Sequence, residues 1–306
     1  MHRFTLRQLE YLVACIDQGS IARAAEVLNV AQPTVSVAIG KLEDQFGTQL
    51  LLRHHSQGVS PTTGAEKLLH SARGLLRHAS DLQRQAMDEG TTVAGNLRLG
   101  SFITLAPVVL PGLIEILSRD FPAIKLGLNE GTQEGLVEGL KSGQLDMALL
   151  YDLGLPDGLR LCHLTELQPY VALPADHPLT RHAAVSLADL TDVPMILLDV
   201  PPSREYFLGL FTRQGLQASV AYSSPSLELV RGMVGRGLGF SLLVTRPQSD
   251  LTYDGHAIAV RPISGDVRAS SVVLASPENL RPTQVMRAFQ SAALQFFHKG
   301  PGDQSR

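Results

Sequence analysis

At 306 residues the chain is long for one average domain and suits two or three. Its 44% apolar and 18% charged residues, with no low-complexity tract, exclude a disordered or fibrous protein, and no run approaches the roughly 20 apolar residues of a bilayer-spanning helix. Net charge is −3, and residues 1–89 hold nine Lys/Arg against nine Asp/Glu, so a nucleic-acid role must rest on motif geometry rather than on a basic footprint.

The opening residues carry charges and turn formers where a signal peptide would have an unbroken apolar core, so a cytoplasmic location is expected. From Thr5 to Ile16 the positions Leu6, Leu9, Leu12, Val13 and Ile16 follow helical spacing, and Gly19 closes that helix. Ser20 suits an N-cap for a second helix, Ile21 to Leu28, whose Ala22, Ala24 and Ala25 admit a close neighbour. After the turn Asn29-Val30-Ala31, Gln32, Pro33 and Thr34 open a third helix. Its inner side is Val35, Ile39, Leu42 and Phe46, and Thr34, Ser36, Lys41 and Glu43 are expected outside.

Two short helices joined by a three-residue turn, the second starting with small polar side chains, present a recognition helix to a major groove. Gln32, Thr34 and Ser36 are suited to base edges and phosphates. Gly47 to Arg53, followed by the polar turn His54 to Gly58, reads as a β-hairpin wing that lays Arg53, His54 and His55 on the phosphate backbone. The bland alternative is a three-helix interaction module with an ordinary hairpin.

These residues closely resemble the LysR-type transcriptional regulators. The resemblance is carried by Leu9-Glu10-Tyr11-Leu12, by Ser20-x-x-x-Ala24-Ala25-x-x-Leu28-x-Val30-x-Gln32-Pro33-Thr34-Val35-Ser36, and by Leu42-Glu43-x-x-Phe46-Gly47. It continues through Leu50 to Arg53 and Pro61-Thr62, and more loosely over most of the chain. Val37, Gly40 and the pair Gly64-Ala65 depart from the family pattern, the first two by removing candidate DNA contacts. On this reading Ser20, Gln32, Pro33, Thr34, Ser36, Lys41, Arg53 and His54 are the DNA-binding residues.

From Thr63 to Ala86 the positions Leu68, Ala72, Leu75, Ala79, Leu82 and Ala86 step by four and three, a heptad seam that buries itself best against a copy of itself. The resemblance implies the same: a homodimer through this linker helix, with dimers pairing into tetramers. A hinge is expected at Asp88–Gly95. Strand and helix then alternate, with strands near Leu97–Gly100, Ile124–Leu128, Leu145–Leu150, Tyr170–Leu173, Met195–Leu198, Ser219–Tyr222 and Phe240–Val244. Helices are expected at Leu105–Leu117, Gln133–Leu140, Glu205–Gln214 and Ser226–Gly235. The glycine-rich run Gly232–Gly239 reads as a helix end and tight turn, not a nucleotide fingerprint.

The expected fold is therefore multidomain: an all-α winged helix-turn-helix over 1–62, a linker helix over 63–90, and a two-lobed α/β effector domain over 91–306. Lobe I takes about 91–165 and 270–306, lobe II about 166–269. The resemblance implies an effector domain like the type 2 periplasmic binding proteins. Ligands of open α/β sheets sit off the carboxyl ends of strands, which selects Ser101, Phe102, Thr104, Thr132, Pro202, Ser203, Arg204 and Ser226. By resemblance Thr104, Thr132 and Ser203 stand where family members contact effectors. Hydroxyls and helix N-termini suit an anion, and Arg204 suits a carboxylate; the bland reading of each hydroxyl is a helix cap.

The two cysteines, Cys15 and Cys162, have no metal-ligand spacing and read as buried hydrophobes. No cofactor, metal or membrane partner is expected. The partners expected are operator DNA, a small-molecule effector and RNA polymerase. An α/β enzyme is the rival class, but GxSxG, HExxH and P-loop motifs are missing. A solute-binding protein explains two lobes and leaves the winged helix unexplained.

Overall fold

The computed structural model of this chain describes residues 4–54, 58–87 and 93–299, without the side chains of 81, 84–87 and 299. The head comprises α1 (Leu6–Gln18), α2 (Ile21–Val27), α3 (Gln32–Phe46) and a hairpin of β1 (Leu51–His54) and β2 (Gly58–Pro61). Thr5 and Gln8 form a reciprocal capping box at the start of α1, and Gly19 ends it in the left-handed region at φ 60°. Leu12, Cys15, Val35, Ile39 and Leu42 are fully buried in one core. Each such aliphatic side chain contributes about 1.5–3 kcal/mol relative to exposure.

The hairpin is anchored rather than free-standing. The Val59 amide donates to the Gly19 carbonyl at 2.9 Å, and a Cβ at Gly58 would stand 2.1 Å from that same oxygen, so only glycine fits there. The first strand starts at Leu51, later than expected, because the Glu43 carboxylate accepts from the Leu50 and Leu51 amides at 2.7 and 3.1 Å and fixes 47–50 as a turn. Glu43, expected on the outer side of its helix, is thus a structural residue. The tip residues 55–57, His55 among them, and 88–92 of the expected hinge lie outside the described residues.

A 25-residue helix, α4 (Thr63–Met87), leaves the head. The expected seam is divided along it. Leu68 and Ala72, with Leu76, pack on the head's own core, whereas Leu75 and Leu82 remain 43% and 68% exposed; the side chain of Ala86 is not described.

The body holds two lobes. The first has strand order β4 (Ile124–Gly131), β3 (Gly95–Phe102), β5 (Met147–Tyr151), β12 (Ser270–Pro277), β6 (Leu159–Leu167). Strands β4, β3 and β5 are parallel, and β12 is antiparallel to both its neighbours. Helices α5 (Ala106–Asp120), α6 (Gln133–Lys141) and α9 (Gln284–Lys299) complete this lobe. The near-continuous apolar runs of β5 and β12 follow from burial on both faces.

The second lobe contains β7 (Tyr170–Pro174), β8 (Met195–Leu198), α7 (Ser203–Arg213), β9 (Val220–Ser224), α8 (Leu227–Gly235), β10 (Ser241–Leu243) and β11 (Ile258–Pro262). Its strands pair as β10-β7-β11, antiparallel, and β8-β9, parallel. A single parallel bridge, Met195 to Phe240, joins the two sets. Gly239 permits that approach, since a Cβ there would lie 2.1 Å from the Pro194 carbonyl oxygen. The second lobe thereby repeats the first lobe's spatial order, three parallel strands followed by two antiparallel ones.

Head, α4 and first lobe are fastened by a buried ionic network. Arg73, 3% exposed, pairs with Asp17 at the end of α1 and donates to the Ser142 carbonyl at 2.7 Å. Arg77 pairs with Asp146 at 2.8 Å, and Arg98 binds the same carboxylate at 3.1 Å and the Gly143 carbonyl at 2.8 Å. Burial pulls the Arg73 guanidinium below its ordinary range, opposed by Asp17.

Candidate nucleic-acid interface and ligand groove

The 3.6-residue period divides α3 into an inner side, Val35, Ile39 and Leu42, and an outer side on which Gln32, Pro33, Thr34, Val37 and Lys41 are exposed. Ser36 is half-buried beside them. Ala31 precedes the helix without a side-chain cap, so the positive end of the helix dipole faces outward, an arrangement suited to a phosphate. Ser20 is engaged as the cap of α2, its Oγ accepting from the Arg23 amide at 3.4 Å. On the hairpin Arg53 is exposed, and His54 is exposed but shares a 2.7 Å hydrogen bond with the Ser60 hydroxyl across the strands. Val37, 57% exposed, adds an apolar group where a donor or acceptor was sought. A side chain of that kind reads DNA only by contact, as with a thymine methyl.

Between the lobes run two adjoining grooves of about 600 and about 450 Å³. Leu153, Gly154, Pro202 and Glu205 are common to both. The larger is walled by α6 and by the loop entering α7, and Thr132 and Pro202 stand on its two sides. Beyond Glu205 the smaller one reaches Tyr206, Arg213 and Arg268.

The remaining ligand candidates are placed differently. Ser101, Phe102, Thr104 and Ser203 are all buried, at 0, 0, 4 and 5% exposure. Phe102 meets Tyr151 edge-on at 5.4 Å, and the Thr104 hydroxyl lies 3.4 Å from the Tyr151 hydroxyl, which also bonds to Thr245 of the second lobe. The Tyr170 hydroxyl donates to the Thr245 carbonyl at 3.0 Å. Burial raises the phenols of Tyr151 and Tyr170, keeping both neutral.

Arg204, expected as a cleft cation, donates to Asp199 at 2.6 Å and lines neither groove, because the carboxylate five residues earlier already satisfies it. Ser226 caps α8, accepting from the Leu229 amide at 3.3 Å, and Thr132 likewise caps α6 through Gly135 at 3.4 Å. Among the groove residues that sequence reasoning passed over are the polar Gln133, Glu134, Glu138, Lys141 and Glu205. The first three form one run with an i,i+4 acidic pair, a pattern that marks a solvated helix face until the opposing lobe is known.

Two family models match the chain: the LysR substrate binding domain over residues 90–297, and the bacterial regulatory helix-turn-helix protein of the lysR family over residues 6–66. A hydrogen peroxide-inducible genes activator of Pectobacterium carotovorum subsp. carotovorum is 34% identical over 239 residues, covering 78% of this chain and 79% of that protein. Among solved structures, HinK, a LysR family transcriptional regulator from Pseudomonas aeruginosa, is 39% identical, with a TM-score of 0.66 over 96% of this chain and 99% of that one. A full-length OxyR variant from Pseudomonas aeruginosa is 28% identical, with a TM-score of 0.78 over 95% and 98%.

Proposed function

We infer the function from one premise: this chain belongs to the LysR family of bacterial helix-turn-helix transcription regulators. It is a DNA-binding regulator of transcription with an effector-binding domain, and its relatives are regulators rather than enzymes. The finer assignment is our proposal. The outer side of α3 enters a major groove, with Gln32, Thr34, Ser36 and Val37 at base edges and Lys41, Arg53 and His54 on phosphates; Pro33 and Ser20 shape the two helix starts that present them. The observation that carries this reading is the division of α3 into a buried apolar side and an exposed side on which Gln32, Thr34 and Lys41 are offered, with Val37 as an apolar exception.

The effector binds between the lobes, against Thr132 and Pro202, and shifts their closure. A ligand acts only through its different affinity for the two states. Leu75 and Leu82 on α4 are offered to a second copy, giving a dimer and by further pairing a tetramer, with RNA polymerase as the downstream partner. Relatives named for hydrogen peroxide prompt the question of a thiol switch. Here Cys15 is sealed in the head's core, its thiol pushed up to about 11 by burial, while Cys162 packs against the body's core. The two sulfurs belong to separate cores, which favours a non-covalent effector.

The test is a gel-shift titration against DNA from immediately upstream of the chain's own gene, at several salt concentrations and with excess unrelated DNA. A discrete complex that survives competition and weakens with salt is expected. Equal binding to all DNA would remove the operator assignment.

A further inference from the structure

We propose that Val37 reads the 5-methyl group of a thymine at the centre of the operator contact, an inference that rests on α3 being the helix that enters the major groove. At about 100° per residue, Val37 stands about 160° from Val35 and from Ile39, so it lies opposite the side that the head buries. On the same line Pro33, one turn earlier, is exposed, and at Gly40, one turn later, a Cβ would meet no atom of the rest of the protein within 4 Å. The middle of the outward face is therefore Pro33, Val37 and Gly40, with no side-chain hydrogen-bonding group. The polar side chains flank it, Thr34 and Lys41 on one side and Ser36 on the other.

A single exposed valine is ordinary surface. This one stands in the second turn of α3, and in a helix-turn-helix the N-terminal residues of the second helix are the ones that meet base edges. Asp44, further along the same line, is exposed and anionic, so phosphates keep the C-terminal half of α3 out while its uncapped, electropositive start draws the first two turns in. Valine is a weaker helix former than alanine or arginine, so α3 gains nothing from it locally. Its branched Cβ leaves one strongly preferred rotamer in a helix, which fixes the two methyl groups in place.

Thymine alone carries a methyl group in the major groove. Guanine, adenine and cytosine present there acceptors or an amino group that an apolar side chain strips of water without replacing the lost bond. Val37 thus rejects as well as selects. Gly40, with no side chain, lets the backbone come close enough for the apolar surfaces to touch. The two departures from the family pattern on this helix therefore change the chemistry of base reading rather than remove it.

The test takes the duplex that the full chain selects from a randomised library and replaces its thymines one at a time by deoxyuridine, which removes the 5-methyl and keeps every pairing group. At one position or more the replacement is expected to weaken wild-type binding roughly fourfold, the loss of one buried methyl, and to cost Val37→Ala nothing. Val37→Ala itself weakens binding to the thymine duplex several-fold with the salt slope unchanged, and its unfolding temperature is not lowered. Deoxyuridine tolerated at every position overturns the proposal and leaves operator binding intact. A loss equal in the wild type and in Val37→Ala also overturns it, by assigning the methyl to another side chain or to duplex shape. A library from which no sequence is enriched removes the recognition-helix reading beneath it as well.

Discussion

The head and the body of this chain carry their candidate functional residues in opposite ways. In the head they are neighbours in sequence, on one helix and one hairpin, and one turn of periodicity separates what is buried from what is offered. In the body the groove is assembled from residues 132–141, 153–156 and 201–205, from both lobes. A local site is written in a helical period, and a composite one is written only in the packing of its parts.

The connection between the two regions is the place to break that contrast. Asp17→Ala leaves the buried Arg73 guanidinium with the Ser142 carbonyl but without its half-exposed carboxylate, and a loss of about 1–2 kcal/mol is expected in urea unfolding. The double variant Asp17→Ala/Arg73→Met, which removes both charges, should recover part of that loss. Equal losses in the single and double variants would mean that head and body stand independently.

A smaller effect sharpens the head's side of the comparison. Arg53→Ala should weaken operator binding several-fold and lower the slope of log affinity against log salt by about 1, the signature of one lost phosphate contact. Ser36→Ala should weaken binding with the salt slope unchanged. Identical slopes for both variants would remove Arg53 from the phosphate backbone.

The smallest effect concerns the thiols. A maleimide should label Cys162, which is partly exposed, in the native chain and reach Cys15 only after unfolding. Because Cys15 is raised from 9.0 to about 11, its contribution to stability is complete below pH 9 and is lost as pH rises toward 11. Unfolding measured across that range in the wild type and in Cys15→Ala should converge.

Much of the architecture is legible in residue order. The helix starts at Ser20, Thr132 and Ser226, the glycine ends and the buried strand Met147–Tyr151 all follow from local chemistry. The groove is less so, for an identifiable reason. A hydroxyl after a strand serves equally as a cap or as a ligand contact, and Thr132 and Ser226 are caps of identical form although only Thr132 lines the groove. Arg204 misleads because its partner, Asp199, is five residues away across a turn whose conformation sequence does not disclose. The seam on α4 has the correct period but two clients, since Leu68 and Ala72 serve the head before any second copy arrives.

Helix α6 has one more property, and it is mechanical. Thr132 and Gln133 at its start line the groove, while the carbonyls of Ser142 and Gly143 just past its end are gripped by Arg73, Arg77 and Arg98. Nine residues at about 1.5 Å each make a stiff strut of roughly 13 Å. One end of this rod therefore stands at the groove and the other at the guanidinium that holds Asp17, so the head is fastened to the far end of the helix whose start lines the groove.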